Sequence, residues 1–122
     1  PFKETIVIEG IAFCHYFASG LMGSAISGEH IGATLVKKLH MSAVQGHSHV
    51  FNHHEHSRPN HDKLFGMSVG CYTHKDYSEG WCAGSQYMWW RGVVIFDGCG
   101  RWDGYYEQYR AICQQYLLDK YG

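Results

Sequence analysis

The sequence predicts a single α+β domain in which strands outnumber helices, and three observations support that class. The chain has 122 residues, a length typical of one domain. Apolar residues make up 45% and charged residues 17%, a balance that can bury a core and argues against wholesale disorder. Stretches rich in Ile, Val, Phe and Tyr recur along the chain, whereas one segment clearly repeats its apolar residues at helical spacing.

The first half of the chain is predicted to contain strands around one helix. Residues 4–16 indicate a strand, a tight turn and a second strand that ends at His15. Residues 18–28 are rich in Gly and Ser and indicate a loop. Residues 29–40 are predicted to be a helix and residues 42–45 a short strand. The helix prediction depends on apolar residues at helical spacing, namely Ile31, Leu35, Val36 and Leu39.

The second half is predicted to be mostly strand, and the expected sheet is mostly antiparallel. The predicted strands are residues 50–56, 64–72, 87–97 and 102–108, with a turn at 57–63, a polar loop at 73–86 and a hairpin turn at 97–100. The continuous apolar run in residues 87–97 indicates a buried central strand. Within it, Trp89 and Trp90 should face opposite sides, in core or interface positions. Residues 109–121 predict a terminal helix.

Charge and cysteine content narrow the classes of function. The formal net charge of -1 argues against a basic nucleic-acid clamp. No apolar run approaches the roughly 20 residues that a membrane helix needs, and no signal peptide is visible. The 5 cysteines, an odd number without CxxC spacing, indicate reduced thiols in small core positions, with a structural zinc as the alternative. We therefore expect a cytoplasmic location.

The 10 histidines make metal binding the first functional hypothesis. Gly46-His47-Ser48-His49 follows a short apolar strand, and a glycine there lets the backbone approach a charged centre closely. His15 ends another predicted strand, ahead of a loop of small residues. A single histidine at such a place is more often part of the core. His15 and the two histidines of the later Gly-His-Ser-His together form a set of candidate metal ligands.

The chain resembles the C-terminal half of a calcineurin-like metallophosphoesterase of the phage and bacterial type, over roughly residues 3–110. The resemblance lies in residues 10–15 (GIAFCH), the helix, residues 45–49 (QGHSH) and residues 89–94 (WWRGVV). It implies a β-sandwich with flanking helices, the four-layer αββα fold, of which residues 1–122 would form the C-terminal part as one domain. It also implies two divalent metals (Mn, Fe, Zn or Ni), one bound by His15 and His47 and the other by His49.

Several motifs of that family are missing. The chain has no DxH, GDxxD or GNH[DE] motif, and its first Asp is Asp62. Without a bridging carboxylate, nothing offsets the repulsion between two dications, so this chain alone should hold at most one metal well. The remaining ligands would come from a preceding segment or a second chain. Residue 1 is Pro, as expected either where the true N-terminus was removed or where the chain is a piece of a longer protein. The oligomeric state is left open.

The histidines that follow the Gly-His-Ser-His motif are assigned mainly to a solvated polar loop. His54 and His56 are the two that could line a substrate path. Arg58 could attract a phosphate there, with a solvated turn as the simpler interpretation. With Asn52, this run faintly resembles a His-Asn-His nuclease, but no helix signal follows it. The other histidines, at positions 30, 40, 61 and 74, are expected at the surface.

The expected function is phosphoester hydrolysis at a dinuclear metal site that other ligands complete. The competing hypothesis is a non-catalytic structural or binding module, phage-derived, that kept the fold and lost the chemistry. A third hypothesis is a mononuclear histidine site with a structural role. The substrate stays open among nucleic acid, nucleotide and phosphoprotein, and the gene could belong to a phage that replicates in a bacterial cytoplasm.

Overall fold

The computed structural model describes residues 4–18, 25–59, 63–73, 89–97 and 109–122, and its architecture is mixed α+β, which confirms the predicted class. A five-stranded sheet lies between a helix on one face and a two-stranded sheet on the other. The elements are β1 (Ile6–Ile8), β2 (Ile11–Cys14), α1 (Ile31–Leu39), β3 (Ser42–Gln45), β4 (Asn52–Ser57), β5 (Lys63–Ser68), β6 (Gly92–Phe96), β7 (Tyr109–Cys113) and α2 (Gln114–Tyr121).

The five-stranded sheet has the order β1-β2-β3-β5-β4 and a parallel centre, which the prediction of a mostly antiparallel sheet did not include. The pairs β2–β3 and β3–β5 are parallel, whereas β1–β2 and β4–β5 are antiparallel. The helix α1 connects β2 to β3 as a crossover, and a crossover returns the chain to the same end of the sheet. The carboxyl ends of the parallel strands β2, β3 and β5 therefore lie side by side at the same end of the sheet.

The predicted strand, turn and strand at the start of the chain are confirmed. Glu9 and Gly10 connect β1 to β2, and both have left-handed backbones, with φ of 53° and 78°. A two-residue turn of this kind matches the natural twist of an antiparallel hairpin. β1 is an edge strand, and its three side chains are 56–58% exposed.

Helix α1 packs against the sheet at a very close approach. It begins at Ile31, two residues later than predicted, and it buries its apolar stripe against β3, β4 and β5. The Gly32 amide donates to Asn52 Oδ1 at 2.8 Å, which satisfies one of the amides left open at a helix start. A Cβ on Gly32 or on Gly66 of β5 would collide with the carbonyl oxygen of the other glycine.

Alternation along the strands divides the core between the two faces of the sheet. Ala12 and Ala43 lie under α1, whereas Ile11 and Val44 face the two-stranded sheet. On that second face, the ring centroid of Phe96 lies 6.1 Å from that of Phe13 and 5.9 Å from that of Phe65. The small side chains of Ala12 and Ala43 thus leave room for the helix, and the large aromatic residues fill the space between the sheets.

The two-stranded sheet contains the strand that was predicted to be buried and central, and that prediction was wrong. β6 pairs with β7, and its Val93 and Ile95 are 36% and 40% exposed. A strand that is apolar on both faces does not show by its pattern which face meets solvent. β7 occupies the start of the predicted terminal helix, so α2 begins at Gln114. The predicted return strand 102–108, the turn residues 98–100 and most of the loop 73–86 lie outside the described residues.

An ion pair also joins β7 to the end of β6. Arg110 donates from Nε and Nη2 to the Asp97 carboxylate at 3.1 Å and 3.2 Å. These hydrogen bonds, and then the attraction between the opposite charges, raise the pKa of the Arg110 guanidinium. Solvent screening keeps the contribution of such an exposed pair to stability small.

The helices test the expectation about membrane spans, and the cysteines test the expectation of thiols in core positions. Within the part of the chain that the structure describes, no helix is long and apolar enough to cross a membrane. Cys14 and Cys71 are half-buried, and Cys14 packs against the core, whereas Cys113 is exposed and does not take the core position expected of it. Cys82 and Cys99 lie outside the described residues.

Candidate functional site

The candidate site lies where β2 and β3 end side by side. His15 follows β2, and Gly46 and His47 follow β3. The carbonyl oxygen of His15 accepts hydrogen bonds from the amides of both Gly46 and His47, each at 3.0 Å. A carbonyl oxygen has two lone pairs and can accept both bonds. The backbone therefore fixes the position of His47 relative to His15.

The Gly-His-Ser-His segment forms a turn at this edge. The His49 amide donates to the carbonyl oxygen of Gly46 at 3.3 Å, so His47 and Ser48 occupy the middle of the turn. His49 itself has a left-handed backbone, with φ of 62°. Its carbonyl oxygen accepts from the Trp90 amide at 2.9 Å, which ties the turn to the segment just before β6.

The imidazoles of His15 and His47 lie with one ring nitrogen of each close together. His15 Nε2 lies 3.3 Å from His47 Nδ1, and both side chains are exposed. Two nitrogens that each bind a tetrahedral metal at roughly 2.0–2.1 Å lie about 3.3 Å from one another. The same pair can instead share a proton, with one ring as donor and the other as acceptor. Both the shared proton and a divalent metal with two imidazole ligands are compatible with this separation.

His49, the third predicted ligand, does not join this pair. Its ring packs edge-on against Trp89, with 4.3 Å between the ring centroids. Trp90 lies on the other side and packs against Phe51 at 5.0 Å, as expected for adjacent residues of an extended segment. Across the described ranges, no group of three or more His, Cys, Asp or Glu side chains is placed to hold a metal.

Two residues that sequence reasoning missed support the pair. Gln45 is 1% exposed; its Oε1 accepts from the Phe17 amide at 3.1 Å and its Nε2 donates to the Ile26 carbonyl oxygen at 2.9 Å. It thereby ties the segment after His15 to β3. The ring of Tyr16 lies 5.1 Å from that of His47 and 6.0 Å from that of His15. The sequence signal for Gln45 was a polar residue inside an apolar strand, directly before the motif.

A shallow cavity of about 330 Å³ lies beside His15. It is lined by residues from β1, β2 and the end of β3, among them Ile6, Phe13 and Val44. Phe13 and Val44 belong to the face of the sheet that meets β6 and β7. Glu4 supplies the carboxylate among the lining residues. The cavity therefore extends from β1 to His15.

The structure separates His54, His56 and Arg58, the residues assigned to a substrate path, from the histidine pair. His56 pairs with Leu64, which lies four residues before Ser68, the β5 partner of Gln45. Four strand residues correspond to about 13 Å along the strand, so these side chains lie toward the opposite ends of the strands, away from His15 and His47. They line a cavity of their own with the end of α1.

The remaining histidines fall into three groups. His30 and His40 flank α1 and are exposed, as predicted. His53 packs between aromatic residues, with its ring 4.8 Å from Tyr109 and 5.9 Å from Phe65. The predictions for His61 and His74 lie outside the described residues.

Comparisons of the chain with protein-family models, with curated proteins and with solved structures give no match. The positions of His15 and His47 and the chemistry of their ring nitrogens are therefore the basis for a function.

Proposed function

We propose that this chain is part of a metal-dependent phosphoesterase and supplies histidine ligands to its metal site. One observation carries the proposal: at the ends of two parallel strands, His15 Nε2 and His47 Nδ1 lie 3.3 Å apart. These are the two histidines that, by resemblance to calcineurin-like metallophosphoesterases, share one metal. The substrate class is a phosphomonoester or phosphodiester.

The complete site would hold two divalent ions from the set Mn, Fe, Zn and Ni, with His49 as a ligand of the second. Divalent metals in such a site act as Lewis acids on phosphoryl oxygens and lower the pKa of water to near neutrality. His15 and His47 act as neutral ligands through their imidazole nitrogens, not as acids or bases. Gln45 and the backbone bonds to the His15 carbonyl oxygen hold these ligands in place.

Carboxylate ligands must complete the site, because imidazoles are neutral and do not offset the repulsion between two dications. We propose that a preceding segment or a second chain with the DxH, GDxxD and GNH[DE] motifs provides them. The edge at β1 is suited to receive it. Ile6 and Ile8 are each 56% exposed and pair with Phe13 and Ile11, so they continue the face that the two-stranded sheet covers elsewhere. The cavity beside His15 opens along that face.

Titration with Co²⁺ tests the histidine pair directly, because cobalt bound to nitrogen ligands gives a visible absorption spectrum. We expect the chain to bind one Co²⁺, and His15→Ala or His47→Ala to weaken binding by at least about tenfold, the lower end of what loss of a supporting group costs. His30→Ala is the matched control, because His30 is exposed at the start of α1. Equal affinity in the wild type and in both pair variants would contradict the proposal.

Native mass spectrometry of the protein from its own source tests the complete enzyme. A complex of this chain with a second chain and two metals per pair would support a split phosphoesterase. A metal-free species of 13.9 kDa, or a metal-free homo-oligomer, would overturn the enzymatic proposal in favour of the non-catalytic module.

A further inference from the structure

The imidazole of His47 lies against two other aromatic rings. Its centroid is 5.1 Å from that of Tyr16, with the two planes tilted by 49°, and 5.3 Å from that of His15, with the planes at 83°. Aromatic side chains attract one another at separations of roughly 4.5–7 Å, beyond the effect of the area that they bury. His47 is exposed, so such contacts contribute more to its orientation than they would inside a packed core.

The main chain alone does not fix the plane of the His47 ring. The hydrogen bond from the His47 amide to the His15 carbonyl oxygen sets the position of the backbone. The torsion that turns an imidazole about its bond to Cβ has only a broad preference. A ring held solely through its backbone therefore samples a wide range of planes. A contact with the ring narrows that range and keeps Nδ1 near its neighbour.

Tyr16 is itself anchored by bonds on both sides. Its carbonyl oxygen accepts a hydrogen bond from Cys14 Sγ at 3.1 Å. The next residue, Phe17, is 7% exposed, and its amide donates to Gln45 Oε1 at 3.1 Å. The Phe17 carbonyl oxygen accepts from the Ile26 amide at 2.8 Å. The half-buried Tyr16 thus offers a fixed ring to the more exposed His47.

We infer that Tyr16 is a positioning residue for His47. Its ring packs against the imidazole and limits the rotation of His47, so that Nδ1 stays beside His15 Nε2. The ring of Tyr16 has this effect, and its hydroxyl does not. The ordering of His47 does not depend on a metal. Its effect on metal affinity rests on the proposed function, because a ligand that is already oriented loses less entropy when it binds an ion.

Nuclear magnetic relaxation of the metal-free full chain tests the ordering of the ring. The ring carbons of His47, assigned with the help of His47→Ala, report its motion through their order parameters. Tyr16→Ala and Tyr16→Leu should both lower these order parameters, because neither variant keeps an aromatic ring. Tyr16→Leu retains apolar bulk and is the second variant in case Tyr16→Ala does not fold. Tyr16→Phe should keep the wild-type values.

Titration with Co²⁺ tests the effect on metal affinity. Tyr16→Ala and Tyr16→Leu should weaken binding by about three- to tenfold, the fold-change that corresponds to the loss of one aromatic contact. They should also change the visible absorption spectrum of the bound ion, whereas Tyr16→Phe should bind as the wild type does. Tyr121→Ala on α2 is the matched control, because Tyr121 is 75% exposed, and it should leave affinity and spectrum unchanged.

The two measurements separate a failure of this inference from a failure of the proposed function. Wild-type order parameters in Tyr16→Ala and Tyr16→Leu would overturn the inference. So would an equal loss in Tyr16→Phe, because the hydroxyl and not the ring would then be responsible. A wild-type chain that binds no Co²⁺ would contradict the metal site, and the relaxation of His47 would still decide whether Tyr16 orders its ring.

Discussion

At the scale of single residues, buried polar side chains hold the site in place by bonding to the main chain of neighbouring segments. Gln45 connects β3 to the segment after His15, as described above. Ser42 Oγ accepts from the Phe65 amide at 3.0 Å, and Ser68 Oγ donates to the Val50 carbonyl oxygen at 2.9 Å. Each of these three residues is at most 6% exposed. Loss of such a side chain leaves a buried amide or carbonyl without its partner.

Replacement of Gln45 by Ala should lower the free energy of unfolding by about 2–4 kcal/mol, because the Phe17 amide and the Ile26 carbonyl oxygen both lose a partner. It should also weaken Co²⁺ binding, since the segment after His15 is no longer tied to β3. Urea unfolding measures the first effect. Gln115→Ala on exposed α2 is the control and should change stability by less than about 0.5 kcal/mol. An equally small change at Gln45 would contradict this account.

At the scale of elements, the contact between α1 and the sheet sets the distance at which the crossover helix packs. Gly32 and Gly66 face each other across that contact, and each lies against the carbonyl oxygen of the other. Backbone atoms cannot move aside as a flexible side chain does. The two glycines therefore set how closely α1 approaches β5, and with it the shape of the cavity that the end of α1 forms with β4 and β5.

Replacement of Gly66 by Ala should destabilise the chain by about 1–3 kcal/mol, the usual effect of overpacking, because the new Cβ pushes α1 away from β5. Thermal or urea unfolding measures this change. Gly46→Ala is the matched control on the same sheet, because its Cβ would have no neighbouring atom nearer than 3.8 Å. Similar losses of stability in the two variants would show that the helix contact has no special importance.

At the scale of the whole molecule, the two sheets that face each other differ in their number of strands. Five strands form one layer, whereas the described residues of the other layer form two. The face toward the smaller layer is buried at Ile11, Val44, Phe65 and Met67, but it is exposed at β1. Apolar strand side chains that remain exposed at a sheet edge mark a place where another chain can pair.

Replacement of both Ile6 and Ile8 by Thr should change the stability of the isolated chain by less than about 1 kcal/mol, because both side chains are already more than half exposed. Thr keeps the strand propensity of β1. Association with the proposed second chain should be lost in native mass spectrometry. Leu118→Thr on α2, where Leu118 is 40% exposed, is the control and should leave association intact. A loss of more than about 2 kcal/mol in the Ile variant would show that β1 belongs to the chain's own core.

The elements with a clear local pattern could be predicted from the sequence. Strand direction, register and burial could not, because they depend on tertiary contacts. The spacing of Ile31, Leu35 and Val36 located α1, and the proposed ligands His15 and His47 do lie together. Strand direction follows from the crossover, which strand patterns do not report. The register of β4 places His54 and His56 away from that pair, and no local pattern determines register between strands. The burial of β6 depends on whether another layer covers each of its faces, which its apolar pattern does not show.

The double hydrogen bond to the His15 carbonyl oxygen has a thermodynamic consequence for metal binding. These bonds fix the main chain at His15 and His47, whose ring nitrogens lie 3.3 Å apart, so a metal at the proposed site would meet ligands whose backbone ordering entropy was lost during folding. Under the proposal, chelation should leave the fold intact, whereas a structural zinc site would unfold. The metal would stabilise the chain through mass action alone, by about 2.7 kcal/mol at a free concentration one hundred times its Kd.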